Sequence, residues 1–405
     1  MSTICGQPHG YAIGKADLLI QGGEPDAIRH GDTLLTDLYE GEQFEYILSN
    51  PPFGSDWSVQ QAAVKEQAKI PGSRFSHGLP NKGDGQMLFL AHVASKLMPA
   101  GDNGSGGRGA VVSNGSPLFT GGPGSGPDQI RAWLLENDLV DAIIQLPTNM
   151  FYGTGISTYV WILDTNKEDH RKGFVQLIDA SECWSVPSKG LGDKRREMRE
   201  ADRNKVLEAY NEFADSDMSK VLTPDDLGFR DVKVTKQASL AVKVTDDAIA
   251  EVLEHKQAVD EHADVMRAVA DANYNDLPNM LKAAAKDHGV KMPATLIDAI
   301  SKAIAVPDPD AEPAVDRKGN PVLDPSFTMT ERVPLIEDID EHMQREVLPF
   351  APDVTWDATK AVIGYEIPFK RVFYKPEPVR SLAEIDADVA EVIGRLMDKF
   401  GQVRT

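Results

Sequence analysis

Apolar and polar positions fall into short alternating blocks along the first half of the chain. Residues 44–48, Phe-Glu-Tyr-Ile-Leu, form an aromatic and β-branched run that Pro51-Pro52 stops, which predicts a buried strand with a loop at its C-terminal end. Comparable runs predict strands over 110–113, 140–146, 158–163 and 174–178, and a strand with a turn over 27–35. Helical periodicity falls over 10–22, 86–97 and 128–137. Strands alternating with helices imply an α/β fold. The last two strands flank the charged connection 164–173 and are expected to pair as a hairpin that closes the sheet with one antiparallel strand.

The second half changes character. Residues 189–203 interleave Lys and Arg with Asp and Glu at helical spacing, which reads as a solvated face, with phosphate contact as the alternative. Residues 244–305 predict two or three helices broken at 275–278 and 289–293. Residues 306–327 are rich in Pro and Asp and read as a surface linker or hairpin, with a turn at 316–321. After Pro376, Ser381 and Glu384 spell a capping box. Leu382, Ile385, Val389, Val392 and Leu396 then recur at three- and four-residue steps. So narrow a stripe needs a surface to pack on, either this chain's own body or another subunit.

Composition narrows the function classes. With 405 residues and 41% hydrophobic content, two or three globular domains are expected. No run of about 18 apolar residues occurs and the N-terminus carries no signal pattern, so a cytoplasmic location and no membrane partner are expected. Cys5 and Cys183 have no CxxC or His partner spacing and no HExxH pair occurs, so neither a disulfide framework nor a metal centre is indicated. Residues 104–109 spell GxGxxG, yet they precede a strand instead of following one, and 121–126 lack the Gly-Lys-Ser/Thr ending of a P-loop. The net charge of −21 argues against this chain gripping nucleic acid alone.

The chemistry concentrates at Ser49-Asn50-Pro51-Pro52-Phe53-Gly54. In an open α/β sheet, ligands bind at the C-terminal ends of strands. Two prolines fix φ and remove two backbone donors, leaving a stiff turn that presents carbonyls. Such a turn suits a substrate amine. If the Asn50 side-chain carbonyl and the Pro51 backbone carbonyl each accept one amine hydrogen, an adenine amino nitrogen becomes more tetrahedral and can attack a methyl sulfonium. Phe53 would stack on a base taken out of the duplex. The alternative is a strand-ending Pro-Pro turn with a capping Asn.

The surrounding motifs occur in one order: His30 to Leu35, Asn50 to Gly54, Asp84-Gly85-Gln86-Met87-Leu88-Phe89, Asn114-Gly115-Ser116-Pro117-Leu118-Phe119 and Met150 to Thr158. The series continues through Lys189 to Arg195 and returns at Ile363 to Phe369. This set resembles the methylation subunit of a type I restriction-modification system, an adenine-N6 DNA methyltransferase. The resemblance implies a mixed methyltransferase-type sheet and S-adenosyl-L-methionine as cofactor. It implies DNA as substrate, with a specificity subunit, a restriction (motor/nuclease) subunit and a second methylation subunit as partners. By the same resemblance Asn50, Pro51, Pro52 and Phe53 are catalytic. Asp32 binds the cofactor's adenine amine, the alternative being a turn-forming Asp, and Phe151 or Tyr152 stacks on the flipped base, the alternative being core packing. The polar segment 55–84 is expected to be a mobile loop over the substrate.

Two departures from the family pattern stand out. The family's ribose-binding Glu is absent, since Gly6-Gln7 is followed by Pro8, and no glycine-rich cofactor loop on a first strand occurs. The chain is therefore expected to be the C-terminal portion of a longer ancestral protein, with Met1 a late start. The expected division is a partial methyltransferase domain over 1–185, a helix and strand extension over 186–243, a helical insertion and linker over 244–330, and a tail with a docking helix over 331–405. Two other functions stay open: a non-catalytic assembly module, and a protein glutamine methyltransferase, which also uses Asn-Pro-Pro.

Overall fold

Strands and helices alternate along the chain in the computed structural model, which describes residues 3–5, 8–101, 105–190, 192–376 and 381–403. Gly6-Gln7, Gly104 and Leu191, singled out above, lie outside the described residues. The chain divides into two compact units. One comprises Met1–Ile143, Thr158–Val175 and Leu222–Ile367, and the other Ile144–Ser157, Gln176–Val221 and Pro368–Thr405.

In the first unit, β1 (Thr3–Cys5) and β2 (Ile28–His30) form a two-stranded parallel sheet, connected through the helix Pro8–Ile20. A separate six-stranded sheet begins with β3 (Tyr46–Ser49). It continues with β4 (Arg108–Asn114), β5 (Val140–Gln145), β6 (Thr158–Asp164), β7 (Val175–Asp179) and β8 (Ser219–Leu222), in the order β3-β4-β6-β5-β7-β8. β3 runs parallel to β4, and β6 antiparallel to it with Val111 opposite Trp161. The mixed α/β sheet with an antiparallel strand agrees with the sequence reading. The pairing differs in detail: β6 inserts between β4 and β5 and does not form a hairpin with β7.

The burial of β3 is a second correction. Its Tyr46 is 78% exposed and its Leu48 87% exposed, because β3 ends the sheet. An aromatic, β-branched run encodes a strand locally, whereas burial needs a neighbouring strand and a covering layer. The interior of the sheet is apolar as expected, with Val111, Ile143, Trp161 and Leu163 buried alongside Leu88 and Leu90 of the helix Gln86–Lys96 and Ile130 and Leu134 of the helix Gly126–Glu136.

The segment 55–84 is packed, not a loose cover. It contains the helix Gln61–Ala68, and its Trp57, Val64 and Phe75 join Leu34 and Leu88 in one hydrophobic cluster. The His77 ring stacks on Trp133 with centroids 3.9 Å apart. Gly126 explains part of the glycine-rich run at 121–126: a Cβ there would meet the Leu79 carbonyl carbon at 2.6 Å, so the helix can start against this segment only with glycine.

Beyond residue 222, β9 (Gly228–Lys236) is the centre of a four-stranded antiparallel sheet. β10 (Leu240–Val242) pairs with β11 (Ala305–Pro307) around the helical insertion. β12 (Met329–Pro334) pairs with β9, and β13 (Val354–Trp356) and β14 (Val362–Tyr365) pair with successive stretches of it. The insertion folds as the helices Asp246–Leu253, His262–Ala268, Leu277–Asp287 and Ala294–Ile304 around their own core of Val265, Met266, Leu281 and Ile300. In the second unit, the helix Leu382–Val403 starts at a capping box in which the Ser381 N–H and hydroxyl donate to Glu384 Oε2 at 2.8 and 3.0 Å. Among the described residues no helix is long and apolar enough to cross a membrane.

Candidate active site

The loop 50–54 leaves the C-terminal end of β3. Pro51 is buried, Asn50 is exposed, and Gly54 turns the chain at φ +61°. The Asn50 side chain makes no hydrogen bond among the described residues, so its amide oxygen is available to a ligand. Phe53 is half-buried.

Hydrogen bonds tie this loop to two of the other sequence motifs. The Gly85 N–H donates to the Ser55 carbonyl at 3.0 Å, and the Trp57 indole N–H to the Asn81 carbonyl at 2.9 Å. Buried Gln86 accepts the Asn114 N–H on Oε1 at 2.9 Å and donates from Nε2 to Asp84 Oδ1 at 2.8 Å. The Ser116 hydroxyl donates to Asp84 Oδ2, and its N–H to Asn114 Oδ1 at 2.8 Å. Residues 55, 84–86 and 114–116 are thereby fixed together at the C-terminal ends of the parallel strands β3 and β4. Behind them, the 363–367 motif docks on the same unit: Ile367 N–H donates to the Leu118 carbonyl at 2.9 Å, and buried Arg131 donates to the carbonyls of Pro117, Thr120 and Tyr365.

Asp32 caps its own turn. Its Oδ1 accepts the N–H groups of Leu34 and Leu35 at 2.9 and 3.3 Å, while Oδ2 accepts Gln60 Nε2 at 2.8 Å. Arg74 braces the turn from behind, donating to the carbonyls of Thr33 at 2.6 Å and Leu34 at 3.3 Å. Arg74 Nη1 also lies 3.1 Å from Nδ1 of His92. Burial, reinforced by this guanidinium, lowers the His92 pKa from 6.5 to about 4. The turn-forming role of Asp32 is thus realised in full, and the carboxylate still retains acceptor capacity on Oδ2.

Gln60 is a residue the sequence did not reveal. Its Oε1 is buried without a hydrogen-bond partner, next to the Nε2 that reaches Asp32. A buried orphan acceptor costs about 1–3 kcal/mol, so it marks a place where a donor fits. An amine with two hydrogens matches the pair of acceptors, Asp32 Oδ2 and Gln60 Oε1. By this test the residues present fit the adenine end of S-adenosylmethionine.

Phe151 and Tyr152 belong to the second unit, and Asp32 and the 50–53 loop to the first. Phe151 is half-buried and Tyr152 is 59% exposed. Their loop is clamped by the 192–196 segment. The N–H groups of Arg195 and Arg196 donate to the Asn149 carbonyl at 2.9 and 3.2 Å, the Asp193 N–H to the Tyr152 carbonyl at 3.1 Å, and the Arg196 guanidinium to Thr148 Oγ1 at 3.0 Å. Lys194 Nζ lies 5.4 Å from the Tyr152 ring centroid. Gly192 has φ +57°, and a Cβ there would sit 2.7 Å from the Tyr152 carbonyl oxygen. The charged run at 189–199 is therefore a loop clamp, and the helix starts only at Glu200.

A mixed sheet whose parallel strands end in an Asn-Pro-Pro-Phe loop, with one antiparallel strand inserted, defines an α/β fold of the methyltransferase type. The N-6 DNA Methylase family model matches residues 5–251, more than half of the chain, and the chain belongs to that family. The type I restriction enzyme MjaIX methylase subunit of Methanocaldococcus jannaschii is 26% identical over 260 residues, which cover 61% of this chain and 44% of that protein. The EcoKI methylase subunit of Escherichia coli is 35% identical over 134 residues, 33% of this chain and 21% of that one. Among solved structures, the type I restriction-modification methyltransferase subunit from Streptococcus thermophilus aligns at 29% identity with a TM-score of 0.45, covering 54% of this chain and 43% of the other. The chain thus spans less than half the length of these relatives.

Proposed function

We propose that this chain carries the amine-binding half of an adenine-N6 DNA methyltransferase, in a type I restriction-modification complex. The observation that carries the reading is the hydrogen-bonded joining of 55, 84–86 and 114–116 beside an Asn50 amide with no protein partner. S-adenosylmethionine supplies a sulfonium methyl when bound. Asp32 and Gln60 hold its adenine amine. Asn50 Oδ1 and the Pro51 carbonyl accept the hydrogens of the target adenine amine and orient its lone pair, and Phe53 stacks on the base. The reaction needs no covalent intermediate on the protein.

The free edge of β3 supports one more element of this reading. A further parallel strand, from a polypeptide outside these residues, would pair with β3 and cover Tyr46 and Leu48. The partners of the reading are DNA, a specificity subunit that selects the target, a restriction subunit and a second methylation subunit, and the location is the cytoplasm. The same exposed edge favours a second reading for the chain by itself, an assembly module that does not bind cofactor.

Calorimetric titration with S-adenosylmethionine, on the chain alone and with a strand-supplying polypeptide and a specificity subunit added, separates the two. Saturable binding and adenine methylation in the assembled sample, abolished by Asn50→Ala with cofactor affinity retained, are the expected results. Phe53→Ala should weaken DNA binding by about 1–3 kcal/mol while leaving cofactor binding alone. Absence of cofactor binding in both samples leaves the assembly module standing, and an Asn50→Ala protein that methylates at the parental rate removes the catalytic assignment.

A further inference from the structure

The helical insertion and the hairpin that follows it line an open pocket of about 680 Å³, most of whose residues lie beyond the stretch the family model matches. Its walls come from residues 238–240, the helix Ala294–Ile304 and the hairpin 315–326. They are held together by backbone bonds: Ala238 N–H to the Val322 carbonyl at 2.8 Å, Ala314 N–H to the Ala238 carbonyl at 2.7 Å, and Asp308 N–H to the Ser239 carbonyl at 3.0 Å. The Asp316 turn, with Gly319 at φ +83°, closes the hairpin, and Arg317 Nε donates to Asp298 Oδ1 at 2.8 Å, tying that turn to the helix. The volume lies in the range of small-molecule sites.

The lining has a definite polarity. Leu240, Ile297, Val322 and Leu323 give an apolar wall. Ser301 Oγ is buried in it without a hydrogen-bond partner. The Tyr274 hydroxyl likewise makes no hydrogen bond among the described residues, and burial, then the nearby Asp316 and Asp298, raise its pKa.

The rim carries three carboxylates and three cations, of which Asp298 and Arg317 form an ion pair. Asp298 is taken by Arg317, Asp316 by the N–H groups of Lys318 and Asn320, and Asp324 by Ser326. Lys302 and Lys318 line the same pocket and make no ion pair among the described residues. The Lys302 and Lys318 amines and the Ser301 and Tyr274 hydroxyls thus give the pocket four side-chain donors with no acceptor among the described residues, a set that suits a ligand whose head group is rich in acceptor oxygens.

We propose that this pocket binds a small organic anion, an apolar body carrying a carboxylate or phosphate head group. The body lies against Leu240, Ile297 and Val322, the Ser301 and Tyr274 hydroxyls donate to the ligand, and Lys302 and Lys318 neutralise the head group. This site is independent of the methyl-transfer reading, because it uses none of the residues assigned there.

The test is isothermal titration of the full chain with octanoate, octyl phosphate and neutral octanol. Saturable binding of one molecule per chain is expected for at least one of the two anions, and the tighter of the two identifies the head group. Octanol should bind about tenfold more weakly, and the double variant Lys302→Gln/Lys318→Gln should erase that difference. Ser301→Leu, which fills the pocket, should weaken the alcohol and the anions alike. Because both lysines are exposed, the double variant keeps the fold and decides the matter even if Ser301→Leu does not fold. No saturable binding of either anion, octanol binding as tightly as the anions, or a double variant that still discriminates between them would each overturn the proposal.

Discussion

Asp128 Oδ1 accepts the backbone N–H of Tyr365 at 2.8 Å, across 237 positions of the chain. Arg131, one turn along the same helix, donates to the Tyr365 carbonyl at 2.8 Å, so both backbone groups of the last residue of β14 are satisfied by one helix. Asp128 and Arg131 are themselves an ion pair at 3.7 Å and are both buried. Asp128→Ala would strand the guanidinium in the interior, which costs about 3–5 kcal/mol. Urea unfolding of the variant checks this, and a loss below about 1 kcal/mol would mean that the pair is dispensable.

Gln60→Ala removes an orphan acceptor and the amide that holds Asp32 Oδ2. Cofactor affinity in the assembled enzyme is expected to fall about tenfold, the worth of one hydrogen bond to a buried group, with the rate at saturating cofactor unchanged. Equilibrium titration and saturation kinetics measure the two separately. A variant whose rate falls while its affinity holds would place Gln60 with the substrate instead.

The depressed pKa of His92 gives a pH dependence of definite sign. Neutral His92 is the form that folds, with Nδ1 facing Arg74, so its contribution is complete above pH 6.5 and is lost as pH falls toward 4. A displacement of that size corresponds to about 3 kcal/mol. His92→Gln should therefore lose less stability than the parent between pH 7 and pH 4.5 in urea unfolding. Parallel losses would show that His92 does not drive the acid sensitivity.

Removal of residues 381–405 should leave the melting temperature nearly unchanged and abolish binding to the specificity subunit. Along the Leu382–Val403 helix, Ile385, Val389, Val392 and Leu396 are all 42–51% exposed, which leaves the stripe free to pack on a partner. A pull-down beside a thermal melt distinguishes docking from core packing. Retained binding, or a collapse in melting temperature, would assign the helix to this chain's own body.

The sequence made local features legible and left the long-range ones hidden. The helix Gln86–Lys96, the strands β4 to β7 and the Ser381 capping box follow from periodicity and end signals contained within a dozen residues. The exposure of β3 was not legible, because Phe-Glu-Tyr-Ile-Leu reads the same whether or not a strand lies beside it. The sheet around β9 was missed for a related reason: Arg332 stands opposite Asp231, a hundred residues away, and the charged β12 carries no apolar run. At the candidate site, residue type and spacing alone single out Asn50 and Phe53. Gln60 is not singled out, since its hydrogen bond to Asp32 joins residues 28 positions apart, and Arg195 and Arg196 read as a charged helix face until their backbone is seen clamping Asn149.

The open side of β3 also governs how the protein behaves in a test tube. Among the described residues no strand pairs with the outer side of β3, and such an edge, beside Tyr46 and Leu48, is a template for any extended segment, including the same strand of a second molecule. Purified by itself, the chain should form concentration-dependent oligomers and finally precipitate, even though its net charge of −21 keeps molecules apart at low ionic strength. Adding salt screens that repulsion and should hasten the loss. Any polypeptide that supplies a strand to this edge would act as a solubility partner.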